Sequence, residues 1–432
     1  MDSKMTMIIA VAVVAVVAVA GVALVMNNNK DKGGIPDEVS EYGLVYGNAD
    51  GNTVIDDTDL DIIDAIIDDS SLLEKYPFAD ANRDGKIDSA DREMVEKMIA
   101  KEKMKVYVLQ FDSEDQTSVI ECNFPLSKLA VNGGTNSRVI ISVLDLTTVM
   151  VASATTTYIS PVLDKELYNF RASDACTVLT TSASDGDRTT LAALDFDAMV
   201  TEISGLSGYG TEAFRSLYAE KDASFLQFSV DNTRECLQAV ATLGILTGKD
   251  TLAKDYIDFS NAVQQKIKDA EGDRFGTVTV MNCVMSNSVS GTSSDYYKAT
   301  LIAGGNNLAD FAQTTKKFPD GSDNTWLLDP KYNPQYIFHF SSTIFGNEPT
   351  ASTINSINNN FSETAAYQAD HYYLMNGTIP LPVRVAYMAQ IMYSDCFEDG
   401  WFISVLQDYF NKYVDNTVVV TDYKILWTTE DF

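Results

Sequence analysis

Two loops near the start of the chain carry oxygen-bearing side chains at the spacing that a hard cation requires. Counted from the first such residue, positions 1, 3, 5, 9 and 12 hold Asn48, Asp50, Asn52, Asp56 and Asp59, and then Asp80, Asn82, Asp84, Asp88 and Asp91. The backbone carbonyls of Val54 and Lys86 stand at position 7. Carboxylate, amide and carbonyl oxygens at these offsets surround an ion of calcium size. The pattern therefore predicts two Ca²⁺ sites.

The prediction rests mainly on the fact that the pattern occurs twice. A single loop rich in Asp and Asn is ordinarily a solvated turn, whereas here two loops share their offsets and each leads into a helix-period apolar pattern. Gly85 stands at position 6 of the second loop, where the chain must turn sharply. Thr53 holds that position in the first loop, so the first site is expected to be looser.

Four aromatic residues in predicted loops are candidates for binding an organic ligand. Tyr209 lies in the segment SGLSGYG, and Tyr296, Tyr297 and Trp326 lie in or near polar loops of the C-terminal half. Aromatic side chains provide large contact areas in ligand pockets. Packing in the core is the alternative for each of them, because aromatic residues are more often buried than in contact with a ligand.

A long helical pattern is predicted to position these loops. From Asp250 to Glu271 apolar residues recur every three or four positions without Pro or Gly, and Gly248 and Gly272 flank the pattern. A helix of this length would be roughly 30 Å long. On either side of it, apolar β-type runs alternate with helical patterns and polar loops. The sequence favours two α/β lobes joined by one rigid strut, with a surface helix of a single domain as the alternative.

Several apolar runs are predicted to form the sheets of these lobes. In the first lobe they are the hairpin VYVLQF and SVIEC, then RVIISVLDL, TVLTTSA and DAMVTEI; in the second they are TVTVMNCVMS, YIFHFSST and VTDYKILW. Ligands of open α/β sheets bind at the carboxyl ends of the strands. The loops TTSASDGD and SGLSGYG are therefore expected near a ligand.

The composition excludes some classes of function. With 31 basic and 61 acidic residues, the formal charge of −30 argues against binding to nucleic acid, whose phosphates need a cationic surface. The five cysteines form no CxxC pair and the two histidines stand in unrelated contexts, so neither a disulfide framework nor a zinc site is predicted. No Ser/His/Asp, Cys/His or phosphate-cradling pattern stands out, which argues against an enzyme.

The N-terminal segment is predicted to cross a membrane. Met5 to Met26 contain no charged residue, which is long enough for a transmembrane helix. A cleaved signal peptide is the alternative, but the apolar run exceeds the usual core of a signal peptide and no Cys follows it for lipidation. We expect a retained anchor with the bulk of the chain outside the cytoplasm, an arrangement that suits an archaeal cell surface.

Residues 43–103 resemble a type I dockerin, most closely in DANRDGKIDSAD. The resemblance implies a small all-α, EF-hand-like domain that folds with calcium and docks a cohesin partner through loop positions 10 and 11. Those positions hold Asp57 and Thr58, then Ser89 and Ala90, and only Thr58 and Ser89 keep the hydroxyl that dockerins often carry. A calcium-stapled stalk without a partner is the alternative.

Four stretches within residues 105–432 resemble the substrate-binding proteins of ABC importers for iron complexes and cobalamin. They are LQAVATLGILTGKDTLAKDYIDF, LAALDFDAMVTE, LLDPKYNPQYIFHF and PLPVRVAYMAQIMYSDCFEDGWFISVLQDYFNKY. The resemblance implies two Rossmann-like lobes bridged by one long helix. It also implies a binding protein, not an enzyme, that captures a metal chelate such as a siderophore or haem, or a corrinoid-like molecule, for an ABC permease.

The chain departs from that family where a permease would dock. The family has a glutamate on each lobe, and the matching positions here are Thr189 and Leu327. The acidic residues nearby that could substitute are Asp185, Asp187, Asp323 and Asp329. The chain also lacks the histidine ligands of the family's zinc and manganese binders, which favours an organic or chelated ligand over a bare ion.

These patterns divide the chain into six segments. They are an anchor at 1–30, a tether at 31–42, a dockerin-like calcium domain at 43–103, a first lobe at 104–230, a helical linker at 231–272 that includes the strut at 250–271, and a second lobe at 273–432. Two alternatives remain: a surface interaction protein that docks a cohesin-like partner, and an enzyme on a related two-lobed scaffold.

Overall fold

The computed structural model describes most of the chain after the predicted tether. The described residues are 40–113, 116–154, 159–203, 208–230, 233–285, 288–311, 316–317, 325–341 and 345–432. The predicted membrane helix from Met5 to Met26 and residues 31–39 of the tether lie outside them. Within the described ranges, no helix is both long enough and apolar enough to cross a membrane.

The two Asp/Asn loops each lead into a helix, as predicted. The helices are α1 (Asp57–Asp68) and α2 (Ser89–Ile99). The residues at loop position 9, Asp56 and Asp88, are their N-caps, and each forms a capping box with the Asp at position 12. Buried apolar residues of both helices share one small core.

The predicted hairpin is confirmed, but it forms a sheet of its own. Its strands are β1 (Met104–Ser113) and β2 (Gln116–Phe124), which pair antiparallel. On one side Val108 bridges to Val45 of the N-terminal domain. On the other side the Gln110 side chain accepts the backbone N–H of Gln227 at 3.1 Å. The hairpin therefore joins the N-terminal domain to the first lobe.

The first lobe is built on a parallel sheet of five strands. They are β3 (Leu129–Asn132), β4 (Met150–Ser153), β5 (Thr177–Val178), β6 (Ala198–Glu202) and β7 (Ser224–Phe228), in the order β5-β4-β3-β6-β7. The helices between them are α3 (Thr135–Val143), α4 (Lys165–Ala172), α5 (Asp185–Ala193) and α6 (Glu212–Glu220). The strand prediction is confirmed for DAMVTEI, whereas only two residues of TVLTTSA form a strand.

The run RVIISVLDL is a helix, so its assignment to a strand was wrong. Within α3, residues 136–141 and Val143 are all buried. A helix that is covered on every side reads as a continuous apolar run, which periodicity alone does not distinguish from a buried strand. The central strand beside it, β3, is a short run of four residues that the sequence pattern did not reveal.

The predicted strut is confirmed as one unbroken helix. It is α8 (Asp250–Glu271), which ends at Gly272 with a φ of 51°. The shorter helix α7 (Thr233–Thr247) precedes it, and the two pack side by side. Both contribute to a single cluster of buried apolar side chains that also includes residues of β3 and β6, Phe338 and Phe340 of the second lobe, and residues near the C-terminus. The linker therefore packs against both lobes.

The second lobe is also an α/β unit. Its strands are β8 (Val278–Met285), β9 (Ser288–Val289), β10 (Gly305–Asn307), β11 (Lys316–Lys317), β12 (Tyr336–Ser341), β13 (Tyr372–Asn376) and β14 (Leu426–Trp427). Its helices are α9 (Asp295–Ile302), α10 (Ala351–Phe361), α11 (Ala365–Gln368), α12 (Leu381–Met392) and α13 (Trp401–Tyr413). Strands β10, β8, β12 and β13 are parallel, and antiparallel β9, β11 and β14 extend the sheet. The predictions for TVTVMNCVMS and YIFHFSST are confirmed, and VTDYKILW contributes a two-residue strand.

Candidate functional site

Buried charged side chains of the first lobe lie where its strands end. Glu202 is the last residue of β6, and its carboxylate accepts hydrogen bonds from the Gly134 N–H and the Ser137 hydroxyl, both at 2.6 Å. One turn into α3, Arg138 donates to Asp164 at 2.8 Å, and both side chains are at most 5% exposed. The first lobe thus holds these polar groups in fixed positions.

A second buried arginine lies near the start of α12 in the second lobe. Arg384 donates to Asp295 at 2.6 Å and to the Gly377 carbonyl at 3.3 Å. Its guanidinium lies 4.6 Å from the centroid of the Tyr296 ring, which stacks on Phe340 with 4.0 Å between the ring centroids. The cation and the two rings therefore form one stack.

Charged side chains of both lobes influence the pKa values of Tyr296 and Cys236. Burial raises the pKa of Tyr296 to about 12, while the positive charge of Arg138 in the first lobe acts to lower it. Burial also raises the pKa of the Cys236 thiol in α7 to about 12, and that thiol interacts with both Glu202 and Arg384. Charged groups of both lobes therefore lie within electrostatic range of α7.

We call this group the interlobe floor, and its charged members are Arg138, Asp164, Glu202, Asp295 and Arg384. They comprise three carboxylates and two guanidinium groups, and the ion pairs Arg138–Asp164 and Arg384–Asp295 each lie within one lobe. The segments that follow β4, β6, β7, β8 and β12, residues 155–158, 204–207, 231–232, 286–287 and 342–344, lie outside the described residues. Their sequences contain no Lys or Arg.

An ion pair outside the interlobe floor links the two lobes. Lys165 of α4 lies 2.7 Å from the carboxylate of Asp415, which follows α13. The hydrogen bond from Lys165 holds the pKa of Asp415 well below its ordinary range. Together with the shared core, this contact joins the first lobe directly to the second.

Two cavities differ in size and in position. One of about 20 Å³, which suits a single water molecule, lies in the first lobe beside Glu202 and Ser137. A groove of about 690 Å³ lies between α8 and α13 and is lined by Phe259, Trp401 and Tyr413 among others. That groove lies along the strut and does not include the residues of the interlobe floor.

The prediction that Tyr209 contacts a ligand needs correction. Its side chain is fully buried and packs edge-on against Phe214, with 5.2 Å between the ring centroids. Its hydroxyl donates to the Thr180 carbonyl at 2.6 Å. The residue belongs to a separate apolar cluster of the first lobe because the helix that follows it covers the ring.

The other three predicted ligand residues are placed differently from one another. Tyr296 belongs to the interlobe floor. Tyr297 is partly buried against an apolar cluster of the second lobe that does not include Tyr296. Trp326 lies in a short turn, and its side chain lies outside the described part of the chain. Among the three residues whose side chains are described, the structure places Tyr209, Tyr296 and Tyr297 against different clusters, and Tyr296 lies at the floor.

The acidic residues predicted to lie where a permease would dock differ in their exposure to solvent. Asp187 is internal, since it accepts hydrogen bonds from the backbone of Thr180 and Ser184 in the cap of α5. The side chain of Asp185 is fully exposed, and Asp329 is also exposed. Asp323 lies outside the described residues. Asp185 and Asp329 are therefore the described acidic residues of this set that a partner could reach.

The first Asp/Asn loop is compact and mostly buried. Asn48, Asp50 and Asp59 are at most 4% exposed. Burial raises the pKa of Asp50 to about 6, and burial together with the charge of Asp50 raises the pKa of Asp59 well above its ordinary value. The Oδ1 atom of Asn48 is buried without a hydrogen-bond partner among the described residues. Buried oxygens of this kind are stabilised by a cation.

The second loop has the same hydrogen-bonding plan. Asp91 accepts the backbone N–H groups of Asn82 and Asp88 at 3.1 and 3.0 Å, as Asp59 does from Asp50 and Asp56 at 3.2 and 2.9 Å. Gly85 has a φ of 87°, the left-handed conformation that position 6 requires.

A search of the described residues finds no group of three or more His, Cys, Asp or Glu side chains placed to hold a metal ion. Calcium loops of this spacing also use Asn and backbone oxygens.

The charged residues of the floor were missed in the sequence. Arg138 and Arg384 each interrupt an apolar run, in SRVIISV and PVRVAYM. A lone arginine in such a run indicates a buried ion pair, because an unpaired buried charge is strongly disfavoured. That signal identifies the arginines, but their partners Asp164 and Asp295 are distant in sequence and only the fold reveals them.

Comparison with known proteins supports the fold. No protein family model and no curated protein matches the chain. Among solved structures, a TroA-like periplasmic binding protein, FepB from Veillonella parvula, matches with a TM-score of 0.53 and 14% identity, over 71% of this chain and 93% of that one. Helicobacter pylori CeuE with Ni(II) bound gives 0.53 and 14%, over 73% and 98%. Haemophilus influenzae MolA, the molybdate periplasmic binding protein of an ABC transporter, gives 0.52 and 14%, over 73% and 99%.

These likenesses support the mixed α/β fold of the chain. The chain has the mixed α/β fold of TroA-like periplasmic binding proteins, and nearly the whole of each matched structure is covered. About a quarter of this chain has no counterpart in them. At this level of identity the comparison concerns the fold alone.

Proposed function

We propose that the chain is an extracytoplasmic substrate-binding protein that captures a metal chelate, such as a siderophore, haem or a corrinoid-like molecule, for ABC-type import. The observation that carries the proposal is the 22-residue strut α8, which packs with α7 between two α/β lobes. The fold shared with periplasmic binding proteins supports it. The chain carries out capture and no chemical reaction.

A stiff strut limits how the protein can bind. Lobes mounted on one rigid helix close only slightly, so affinity must come from a largely preformed surface. Arg384 and Phe340 are buried, and with Tyr296 they form a stack held by contacts within the second lobe that would support such a surface from beneath. Since these rings and charges are already fixed, a ligand that binds above them would not have to order them.

We further propose that the two Asp/Asn loops bind Ca²⁺ as a dockerin-like domain. The residues that would hold the ions are Asn48, Asp50, Asn52, Val54, Asp56 and Asp59, and Asp80, Asn82, Asp84, Lys86, Asp88 and Asp91. The orphaned oxygen of Asn48 and the buried carboxylates of Asp50 and Asp59 support a cation in the first loop. Calcium would neutralise these carboxylates. The apolar N-terminal segment would keep the protein at the cell surface.

A second candidate function is docking of a cohesin-like partner through this domain. The residues at loop positions 10 and 11 favour it, because Asp57, Ser89 and Ala90 are exposed and Thr58 is partly exposed. The rest of the protein therefore leaves these positions accessible. Co-purification with a cohesin domain that requires calcium would support this alternative.

The experiment that tests capture is analysis of the protein purified without added ligand. We expect native mass spectrometry to detect one bound small molecule per chain, and an absorption spectrum to show a haem, corrinoid or ligand-to-metal band. The Arg384→Leu variant should carry less of the same molecule. The proposal would be refuted if only chains of apoprotein mass were detected and those chains also failed to take up haemin, a ferric siderophore or cobalamin.

A further inference from the structure

We propose that the first Asp/Asn loop is a calcium-dependent brace on the linker, so that the ion bound there fixes helices α7 and α8, on which both lobes are mounted. This inference rests on the calcium binding proposed above. It assigns the loop to the body of the receptor and not to a separate module on a stalk. Residues 40–44, which we call the brace segment, connect the loop to the linker.

The brace segment contacts the linker along its length. Glu41 forms an ion pair with Arg234, and its backbone carbonyl accepts the Gln238 side chain at 2.8 Å. The Leu44 N–H donates to the Thr242 hydroxyl at 3.0 Å. Residues 234, 238 and 242 are spaced by one helical turn, so these contacts follow a single face of α7.

The brace segment also reaches the strut itself. The side-chain amide of Asn261, near the middle of α8, donates to the Tyr42 hydroxyl at 3.1 Å. One segment therefore contacts both linker helices, and each contact joins residues that are far apart in sequence. Such contacts hold α7 and α8 in register with each other.

The first loop in turn holds the brace segment. The backbone N–H groups of Tyr42 and Gly43 donate to the Gly51 carbonyl at 2.9 and 3.0 Å, and the Ser40 N–H donates to the Asp50 carbonyl at 2.7 Å. The Asn48 side-chain amide donates to the Gly43 carbonyl at 2.9 Å. The loop and the brace segment are thus one hydrogen-bonded unit.

Gly43 shows how closely the loop and the linker approach each other. A methyl group in place of its hydrogen would lie 2.2 Å from the Asn48 amide nitrogen and 2.7 Å from Ile245 in α7. The first residue of the cation loop and a linker helix therefore lie on either side of this glycine. A shift of the loop would be transmitted to α7 because no space separates them.

The buried oxygens of the loop explain why a cation would matter. The Oδ1 atom of Asn48 has no hydrogen-bond partner among the described residues, although Asn48 is fully buried and its amide nitrogen is engaged by the brace segment. Asp50 and Asp59 add two nearly inaccessible carboxylates. Without an ion these groups repel one another, whereas a bound Ca²⁺ draws them together.

The second loop provides a natural control within the same chain. It repeats the ligand spacing, and residues 83–86 are exposed. The hydrogen bonds found for its ligand side chains stay within residues 80–91, all of which the structure describes. An ion in the second loop should therefore act on the linker less directly, through the turn that follows α2, where Lys101 pairs with Asp250 at 3.2 Å.

Hydrogen–deuterium exchange of the full chain, in Ca²⁺ and in chelator, tests the brace. We expect the amides of α7 to exchange about tenfold faster in chelator, the loss expected when one or two hydrogen bonds no longer hold the helix. Asp59→Asn should abolish this calcium effect, whereas Asp91→Asn, the change at the same position of the second loop, should leave it. Thr242→Val should reduce the effect while calcium still binds.

Each outcome decides a different point. If calorimetry detects no Ca²⁺ binding, the calcium assignment and the brace both fail, while ligand capture is untouched. If Ca²⁺ binds but α7 exchanges at the same rate, or if Asp59→Asn and Asp91→Asn behave alike, the brace alone is overturned. Should Asp59→Asn fail to fold, Thr242→Val decides, because an unchanged calcium effect in that variant contradicts the brace.

Discussion

Arg384 is the residue that most clearly organises the interlobe floor. It is fully buried, its two terminal nitrogens reach Asp295 and the carbonyls of Gly377 and Ile379, and its planar face covers Tyr296. A lysine could not make these contacts, since it lacks the planar fork of donors. The position is therefore expected to tolerate neither loss of charge nor change of shape.

Replacing Arg384 by leucine should destabilise the fold and weaken ligand binding. The change leaves Asp295 and two carbonyls without their donor, which costs about 2 to 4 kcal/mol. Denaturant unfolding monitored by circular dichroism measures the loss. The control is Arg92→Leu, which removes an exposed pair with Asp64 at 3.0 Å and should barely move the midpoint. Equal effects of the two changes would contradict the role given to Arg384.

For single residues, the sequence predicted the features that depend on the spacing of nearby residues. The twelve-residue offsets of the two loops are visible in the chain, and the caps of α1 and α2 follow from them. Tyr209 shows the opposite case, because a tyrosine in a glycine-rich segment looks exposed until the fold covers it. The pairs Arg138–Asp164 and Arg384–Asp295 join residues 26 and 89 positions apart, and no local pattern predicts such contacts.

At the scale of elements, the C-terminal end of the strut contains an unfavourable group. Glu271 is the last residue of α8, is 3% exposed, and neither of its carboxylate oxygens has a hydrogen-bond partner within the described ranges. It also lies near the negative end of the helix dipole. Burial raises its pKa from 4.5 to about 8, although the nearby charge of Arg274 opposes the shift.

Glu271→Gln should therefore stabilise the protein at neutral and higher pH. Because the folded state holds this proton more tightly than the unfolded state, stability is lost as pH rises from about 4.5 to about 8. The amide cannot ionise, so the variant should gain about 1 to 3 kcal/mol at pH 8 and little at pH 4.

Thermal unfolding across this pH range measures the difference. Glu398→Gln, which removes an exposed partner of Lys266 on the same strut, serves as the control. A wild type and a Glu271→Gln variant with parallel pH profiles would contradict the account of this group.

The sequence best predicted the elements in which apolar residues recur at a regular spacing or in which glycines mark the ends. The strut was predicted to its bounds because its apolar face repeats over six turns and glycines flank it. Helix α3 was mistaken for a strand because it is buried on all sides and so has no polar face. Strands β3 and β4 have four residues each, too few to establish alternation.

At the scale of the whole molecule, the N-terminal domain, the hairpin, the linker and the two lobes form one connected body. The domain contacts α7 and α8 through the brace segment and meets the first lobe through the hairpin. The segmentation predicted from the sequence treated this domain as separate from the two lobes. Hydrogen bonds between residues some 200 positions apart connect this domain to the linker. Local sequence patterns give no sign of these bonds.

The overall charge is consistent with the charge of the floor. The chain carries −30 formal charges, and the charged members of the floor are three carboxylates and two guanidinium groups. Such a field attracts cationic and repels anionic molecules. A neutral or positively charged chelate is therefore expected to bind more tightly than an anionic one.

Calorimetric titration of the full chain with haemin, a ferric siderophore of neutral or positive charge, and cobalamin tests whether the interlobe floor belongs to a receptor site. We expect at least one of them to bind with one molecule per chain and a dissociation constant of about 1 μM or tighter, near −8 kcal/mol. We also expect Arg384→Leu to weaken this binding, whereas Arg92→Leu should not. Absence of binding to all three, in calcium and with wild-type protein, would contradict the assignment of the interlobe floor as a receptor site.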